Sequence, residues 1–369
     1  MVEIQKGSLH IHVAFDVGFE IRTKKVLEVV GNRLALRANE LRPLTGSLNR
    51  DLQPLRIAFD AQEIRLHEEI LPFQVFVTFY DLGALSFEFV CPLTTSFDVL
   101  PELAAHLENS DELIDSARRL ANEIFALIKP AIVGPELFST PSVHYVFNVE
   151  RLSEDLSSEQ IIARLGTSIA QTMKASTESI GTNEVKRTLS QSVGYSDRDL
   201  VFVTAKNAII FDENGLDAVD ILELANVQAL ELRFIDAKLD RTLVGLYEAN
   251  FRKRNWFQRL GSRLFNFSEL NLKAINTIHL DSLIIAERVE QSFKLASDNY
   301  LARIHELCVN MMFLQVLSDG IDRKLAAIRD ISNDIQDGEA NLRMETLEWI
   351  IIILILIGTV PIFLSSKAT

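Results

Sequence analysis

His10 and His12 stand two residues apart in a run that alternates apolar and polar side chains, with Asp16 further along the same polar set. In a strand this spacing puts both imidazoles on one face, about 7 Å apart. With the carboxylate they could supply metal ligands. No third ligand stands at a suitable spacing, so the bland expectation is a pair of surface strand histidines, with no metal and no cofactor.

A second polar set, Asn226, Arg233, Asp236 and Asp240, runs along a stretch that is otherwise apolar. Polar groups buried in such a helix need partners, and Arg233 can reach Asp236 one turn on. Adjacent carboxylates push one pKa upward, as general acid–base catalysis requires. The simpler outcome is an ion-pair network that locks helices together. A third segment, Phe251 to Arg263, carries Arg252, Lys253, Arg254, Arg259 and Arg263 around Trp256 and Phe257. As a helix it would be basic on one side and aromatic on the other, suited to an anionic bilayer surface, a ribosome or another polyanion.

The familiar catalytic and phosphate-binding patterns are missing: G-x-x-x-x-G-K-[ST], G-x-G-x-x-G after a strand, G-x-S-x-G, H-E-x-x-H and C-x-x-C. The sequence therefore predicts no enzyme. A net charge of −14 over 369 residues disfavours wrapping of DNA or RNA phosphates by the body of the chain. Two cysteines, Cys91 and Cys308, are too few for a disulfide framework and read as buried apolar residues.

The elements that must hold these residues follow from periodicity. From Leu9 to Ile21 every odd residue is apolar, which predicts a strand with one wet face. Phe73 to Cys91 repeats the alternation on either side of Asp81-Leu82-Gly83 and predicts a hairpin. Leu200–Thr204 and Ala208–Asp212 form a third strand pair. A helix runs through Leu113, Ala117, Leu120, Ile124 and Ile128 until Pro130 stops it. Another opens at Ser157 with Gln160 as a capping box. Ser176 to Asp199 is polar and reads as a long loop, Ile221 to Tyr247 as a buried helix, and Ile284 to Thr346 as helical throughout.

Every seventh residue from Tyr300 is apolar: Leu307, Leu314, Ile321, Ile328, Ile335, Leu342 and Trp349 follow. Such a heptad predicts a self-associating coiled coil or a helical hairpin. Unbroken, the helix would reach about 75 Å, with Ser318-Asp319-Gly320 as the one place for a turn. The series leads into Ile350 to Leu364, which holds no charge. With Trp349, Ile350, Ile353, Ile357 and Leu364 as its marker residues, this segment reads as a membrane anchor. Its fifteen residues cover about 22 Å against a hydrocarbon core of about 30 Å.

The junction Leu347-Glu348-Trp349-Ile350-Ile351-Ile352-Ile353-Leu354-Ile355, behind its heptad helix, resembles the end of the "required for meiotic nuclear division" family, built on a domain of unknown function. Phe76-Val77-Thr78-Phe79-Tyr80-Asp81-Leu82-Gly83 is similar to that family's strand–Tyr-x-x-Gly–strand element. No catalytic residues are established for that family, and the resemblance implies a tail-anchored, homo-oligomeric membrane protein, associated in mitochondrial members with supporting translation at the inner membrane.

These readings combine into one expectation. Residues 1–212 form an α+β head of antiparallel sheets with helices, residues 213–346 a helical region with its heptad at about 300–346, residues 347–364 a transmembrane helix, and residues 365–369 a short tail. The protein is then a single-pass membrane scaffold with its bulk on the cytoplasmic or matrix face. Its partners are membrane lipid, further copies of itself, and an unidentified protein or ribosomal surface. A head that binds a small molecule, or acts as an enzyme, is the alternative.

Overall fold

The computed structural model describes residues 2–31, 54–66, 69–251 and 299–331, together with positions 333, 348, 351 and 352. It divides into two compact units. The first comprises Met1–Asp236 and Asp281–Asp319, and the second Ala237–Leu280 and Gly320–Thr369.

The first unit is built on a mixed eight-stranded sheet. Its strands are β1 (Ile4–Asp16), β3 (Leu55–Leu66), β4 (Glu69–Phe79), β5 (Ala84–Pro92), β7 (Ser142–Leu152), β8 (Ser192–Val193), β9 (Leu200–Val203) and β10 (Asn207–Phe211), in the order β3-β4-β5-β1-β7-β10-β9-β8. All neighbours are antiparallel except β7 and β10. Two short strands, β2 (Glu20–Ile21) and β6 (Ile132–Val133), pair separately.

Strand alternation divides the sheet into two chemically different faces. On one, Leu9, Ile11, Phe15, Phe73, Phe87, Phe89 and Phe147 meet the apolar sides of α2 (Leu100–Glu108), α3 (Asp111–Ile128) and α4 (Ser158–Met173) in a single core. α3 ends where Lys129–Ala131 tightens around Pro130, as the sequence predicts. α4 opens on the predicted capping box: the Ser157 hydroxyl accepts from the Gln160 amide at 3.3 Å, and the Gln160 side chain accepts from the Ser157 amide at 2.9 Å. The β4–β5 turn depends on Gly83 at φ +105°, where a Cβ would collide with the Gly18 carbonyl.

The other face is where the sequence misleads. Its residues were expected to be wet, yet His10, His12 and Asp16 are at most 2% exposed. The cover is α6 (Leu216–Phe251), a 36-residue helix buried almost all round over its first-unit portion. Residues 176–199, expected as a loop, contain α5 (Thr182–Leu189) and β8. α1 (Thr23–Gly31) follows β2.

Near the C-terminal end, α7 (Asn299–Met311) and α8 (residues 314–331) bring the described helices to eight. The uninterrupted heptad helix is not observed. It breaks at Met312-Phe313, with Phe313 at φ 58°, whereas Ser318, Asp319 and Gly320 continue α8. Along the expected seam Leu307 is half-buried, and Leu314, Ile321 and Ile328 are buried within the single chain. Ile335 and Leu342 lie outside the described residues.

In the second unit, Asp240 Oδ1 of α6 pairs with Lys324 Nζ of α8 at 2.6 Å. The single-pass membrane protein is not supported, because no helix among the described residues is long and apolar enough to cross a membrane. Of the expected anchor, Glu348, Ile351 and Ile352 are described, all helical and exposed. Trp349, Ile350, Ile353, Ile357 and Leu364 lie outside the described residues. So does the basic segment Arg252, Lys253, Arg254, Arg259 and Arg263.

Candidate functional site: a buried charged layer under α6

Four rows of side chains cross the covered face of the sheet. One row is Arg56, Thr78, Ser86, Ala14 and Ser142, and the next is Phe76, Glu88, His12 and His144. Beyond them come Val90, His10, Val146 and Ala208, then Ser8, Asn148 and Ile210. Against these rows α6 turns Asp220, Glu223, Asn226 and Glu231, all at most 2% exposed. The fit is metric as well as chemical. Ser8 to Asp16 is eight strand steps, about 26 Å, and Gly215 to Glu231 is sixteen helical steps, about 24 Å. The helix therefore lies along β1, with Gly215 against the Asn148 side chain at one end and Glu231 against Asp16 at the other.

Arg56 is the hub. Its guanidinium contacts Glu88 at very short range, donates to Asp220 Oδ1 at 3.0 Å and lies 3.5 Å from Glu223 Oε2. It also sits 5.4 Å from the centroid of the Phe76 ring. Burial alone would ease its proton off, but Glu223 first and then Asp220 outweigh that and hold its pKa above the ordinary arginine value. Glu223 shows the converse balance. Burial pushes its carboxyl up, while the charges of Arg56 and then His12, with the Ser86 and Thr78 hydroxyls, bring it below the usual carboxylate range. Those hydroxyls face the carboxylate without reaching hydrogen-bond geometry. The buried Tyr80 phenol beside them is raised well above its ordinary value, by burial and then by Glu223.

Glu88 links this hub to the histidines. His10 Nδ1 lies 2.7 Å from Glu88 Oε1, His10 Nε2 lies 2.8 Å from Ser8 Oγ, and His12 Nε2 lies 3.8 Å from Glu88 Oε1. Across the row from His12, burial first and then the His12 charge push the His144 imidazole down to about 3, so it stays neutral. At the far end Asp16 and Glu231 share a buried site. Burial, followed by the charge and hydrogen bond of Asp16, raises Glu231 well above the carboxylate range.

The residues singled out from sequence are thus distributed as follows. His10, His12 and Asp16 are in the layer, but turned to Glu88 and Glu231. Among the described residues no group of three or more His, Cys, Asp or Glu is placed to hold a metal ion. Asn226 and Arg233 converge on Ser142: the Ser142 hydroxyl donates to Asn226 Oδ1 at 2.7 Å, and Arg233 Nη1 donates to that hydroxyl at 3.3 Å. Arg233 therefore serves Ser142, and Asp240 serves Lys324. Sequence reasoning did not single out Ser8, Arg56, Glu88, Asp220, Glu223 or Glu231. The available signal was the acids spaced along an apolar helix, which must find partners once buried.

These features define an α+β domain in which a mixed sheet is covered on both faces and one cover is fastened by buried charge. Residues 6–218 match the family model described as the N-terminal domain of uncharacterized protein MJ0711, and the chain belongs to that family. The MJ0711 protein of Methanocaldococcus jannaschii is 22% identical over 238 residues, covering 63% of this chain and 69% of that protein. No solved structure matches the chain. The resemblance to the "required for meiotic nuclear division" family is accordingly overturned, and with it the membrane anchoring which that resemblance implied.

Proposed function

We propose that the protein is an assembly module that associates with other protein chains, a second copy of itself among them. The observation that carries this reading is the internal matching of charge under α6. Arg56 engages Glu88, Asp220 and Glu223, and Glu231 engages Asp16, in a layer at most 3% exposed. Charge placed in this way fastens a helix to a sheet. The heptad positions Leu314, Ile321 and Ile328 are already covered by their own chain, so these three are not free for a contact between chains. Val244 on α6, 58% exposed in the second unit, is one exposed apolar side chain open to such a contact.

Sedimentation and cross-linking of the full chain over a concentration series test this. The expected result is an assembled species that Val244→Asp weakens at least tenfold without changing the melting temperature. A single monomeric species at every concentration, indistinguishable from Val244→Asp, would overturn the reading.

A further inference from the structure

One corner of the charged layer has a chemistry that fastening α6 does not require. Ser8, His10 and Glu88 stand in the order and through the ring nitrogens of a hydroxyl–imidazole–carboxylate relay. The Ser8 hydroxyl is 2.8 Å from His10 Nε2, and His10 Nδ1 is 2.7 Å from Glu88 Oε1. With the imidazole neutral, Nδ1–H donates to the carboxylate and Nε2 accepts from the hydroxyl, the tautomer that readies a serine oxygen to attack. Burial is graded along the relay: Glu88 is 0% exposed and His10 2%, while Ser8 is half-buried at the rim. Of the three, Ser8 alone is not fully buried. A donor is fixed beside it, since Asn148 Nδ2 donates to Ser8 Oγ at 3.4 Å. The Asn148 side chain is wedged against Gly215, where a Cβ would collide with its carbonyl oxygen. Arg56 holds the other oxygen of Glu88 and so fixes the carboxylate that orients the ring.

We propose that Ser8 is a nucleophile that takes an acyl group from a small activated ester, with His10 as its proton carrier and Glu88 as a positioning residue. This goes beyond the assembly role and does not depend on it. In the forward step Ser8 Oγ bonds to the acyl carbon as its proton moves to His10 Nε2. The ester C–O bond breaks, and the leaving oxygen takes that proton from Nε2. Asn148 Nδ2, which already donates to Ser8 Oγ, is the donor assigned to the oxyanion that forms. Water then attacks the acyl-serine, gives one proton to His10, and releases the carboxylic acid as Ser8 recovers its proton.

The test uses the full chain and an alkyl fluorophosphonate, whose P–F bond breaks as Ser8 attacks phosphorus. Intact mass and peptide mapping should show one adduct, on Ser8, absent from Ser8→Ala and slowed at least tenfold by His10→Gln. Ser8→Cys supplies an independent reading through iodoacetamide alkylation. Cys91 and Cys308 contribute little background, because burial pushes both thiols up to about 12. A relay thiolate should keep its alkylation rate down to about pH 6, whereas an isolated thiol loses about tenfold per pH unit below its ordinary value of about 8.5. This profile decides the matter if His10→Gln does not fold. No adduct, an adduct on another serine, labelling indifferent to His10→Gln, or an ordinary thiol profile in Ser8→Cys would each overturn the proposal.

Discussion

Replacing Arg56 with methionine removes one cation and leaves Glu88, Asp220 and Glu223 facing one another in a site at most 1% exposed. Methionine keeps much of the side-chain volume, so the main effect is electrostatic. Breaking a buried pair by deleting one partner costs about 3–5 kcal/mol, a large share of the roughly 5–15 kcal/mol that keeps a domain folded. At about 2–4 °C per kcal/mol, the melting temperature should fall by about 6–20 °C.

The pH dependence makes this prediction sharper. In the native protein the folded-state pKa of Glu223 is depressed, so its stabilising contribution is present above the unfolded value of about 4.3 and is lost as pH falls through the folded value. Without Arg56, burial dominates and raises the acids above their unfolded values. The penalty is then largest at pH 8 and shrinks as the acids take up protons toward pH 5. Denaturant unfolding of both proteins at pH 8 and pH 5 measures the two slopes. A loss below about 1 kcal/mol at pH 8, or one as large at pH 5 as at pH 8, would refute the account of Arg56 as hub.

Glu231→Gln should act with the opposite sign. Because the folded-state pKa of Glu231 is raised, its contribution is complete below the unfolded value and disappears as pH rises through the folded one. The glutamine imitates the protonated acid, so the variant should match the native protein below about pH 4 and exceed it at about pH 9, as read from denaturation midpoints. Ser157→Ala deletes the α4 cap and should cost about 1 kcal/mol, seen as a melting temperature about 2–4 °C lower.

What was legible in the sequence is what local periodicity controls. The β4–β5 hairpin, β9 and β10, the stop of α3 at Pro130 and the Ser157 cap all depend on neighbours a few residues away. α5 and β8 escaped because eight- and two-residue elements with mostly polar side chains carry too few apolar positions to show a period. The break at Phe313 escaped because no glycine or proline marks it. The heptad was real as a pattern but ambiguous in meaning. Seven-residue spacing fits a seam between chains and a helix buried on its own chain equally well, and Leu314, Ile321 and Ile328 took the second course.

The harder failure was the polar face of β1. Alternation reports that two faces differ; it does not report which is wet, because that is decided by whatever covers the sheet. The answer lay about 200 residues downstream, in acids that the apolar character of α6 concealed. Asp220, Glu223, Asn226 and Glu231 recur on one side of a helix whose remaining sides are buried in aliphatic packing. Such a helix cannot leave those groups unanswered, since each uncompensated charge would cost several kcal/mol. The strands able to answer them carry His10, His12, Arg56, Thr78 and Ser86 at alternate positions. Matching the two sets places α6 on that face and buries the histidines. The same matching leaves Ser8 as the one member of the His10 relay that is not fully buried, which sets the reactive end of the relay there.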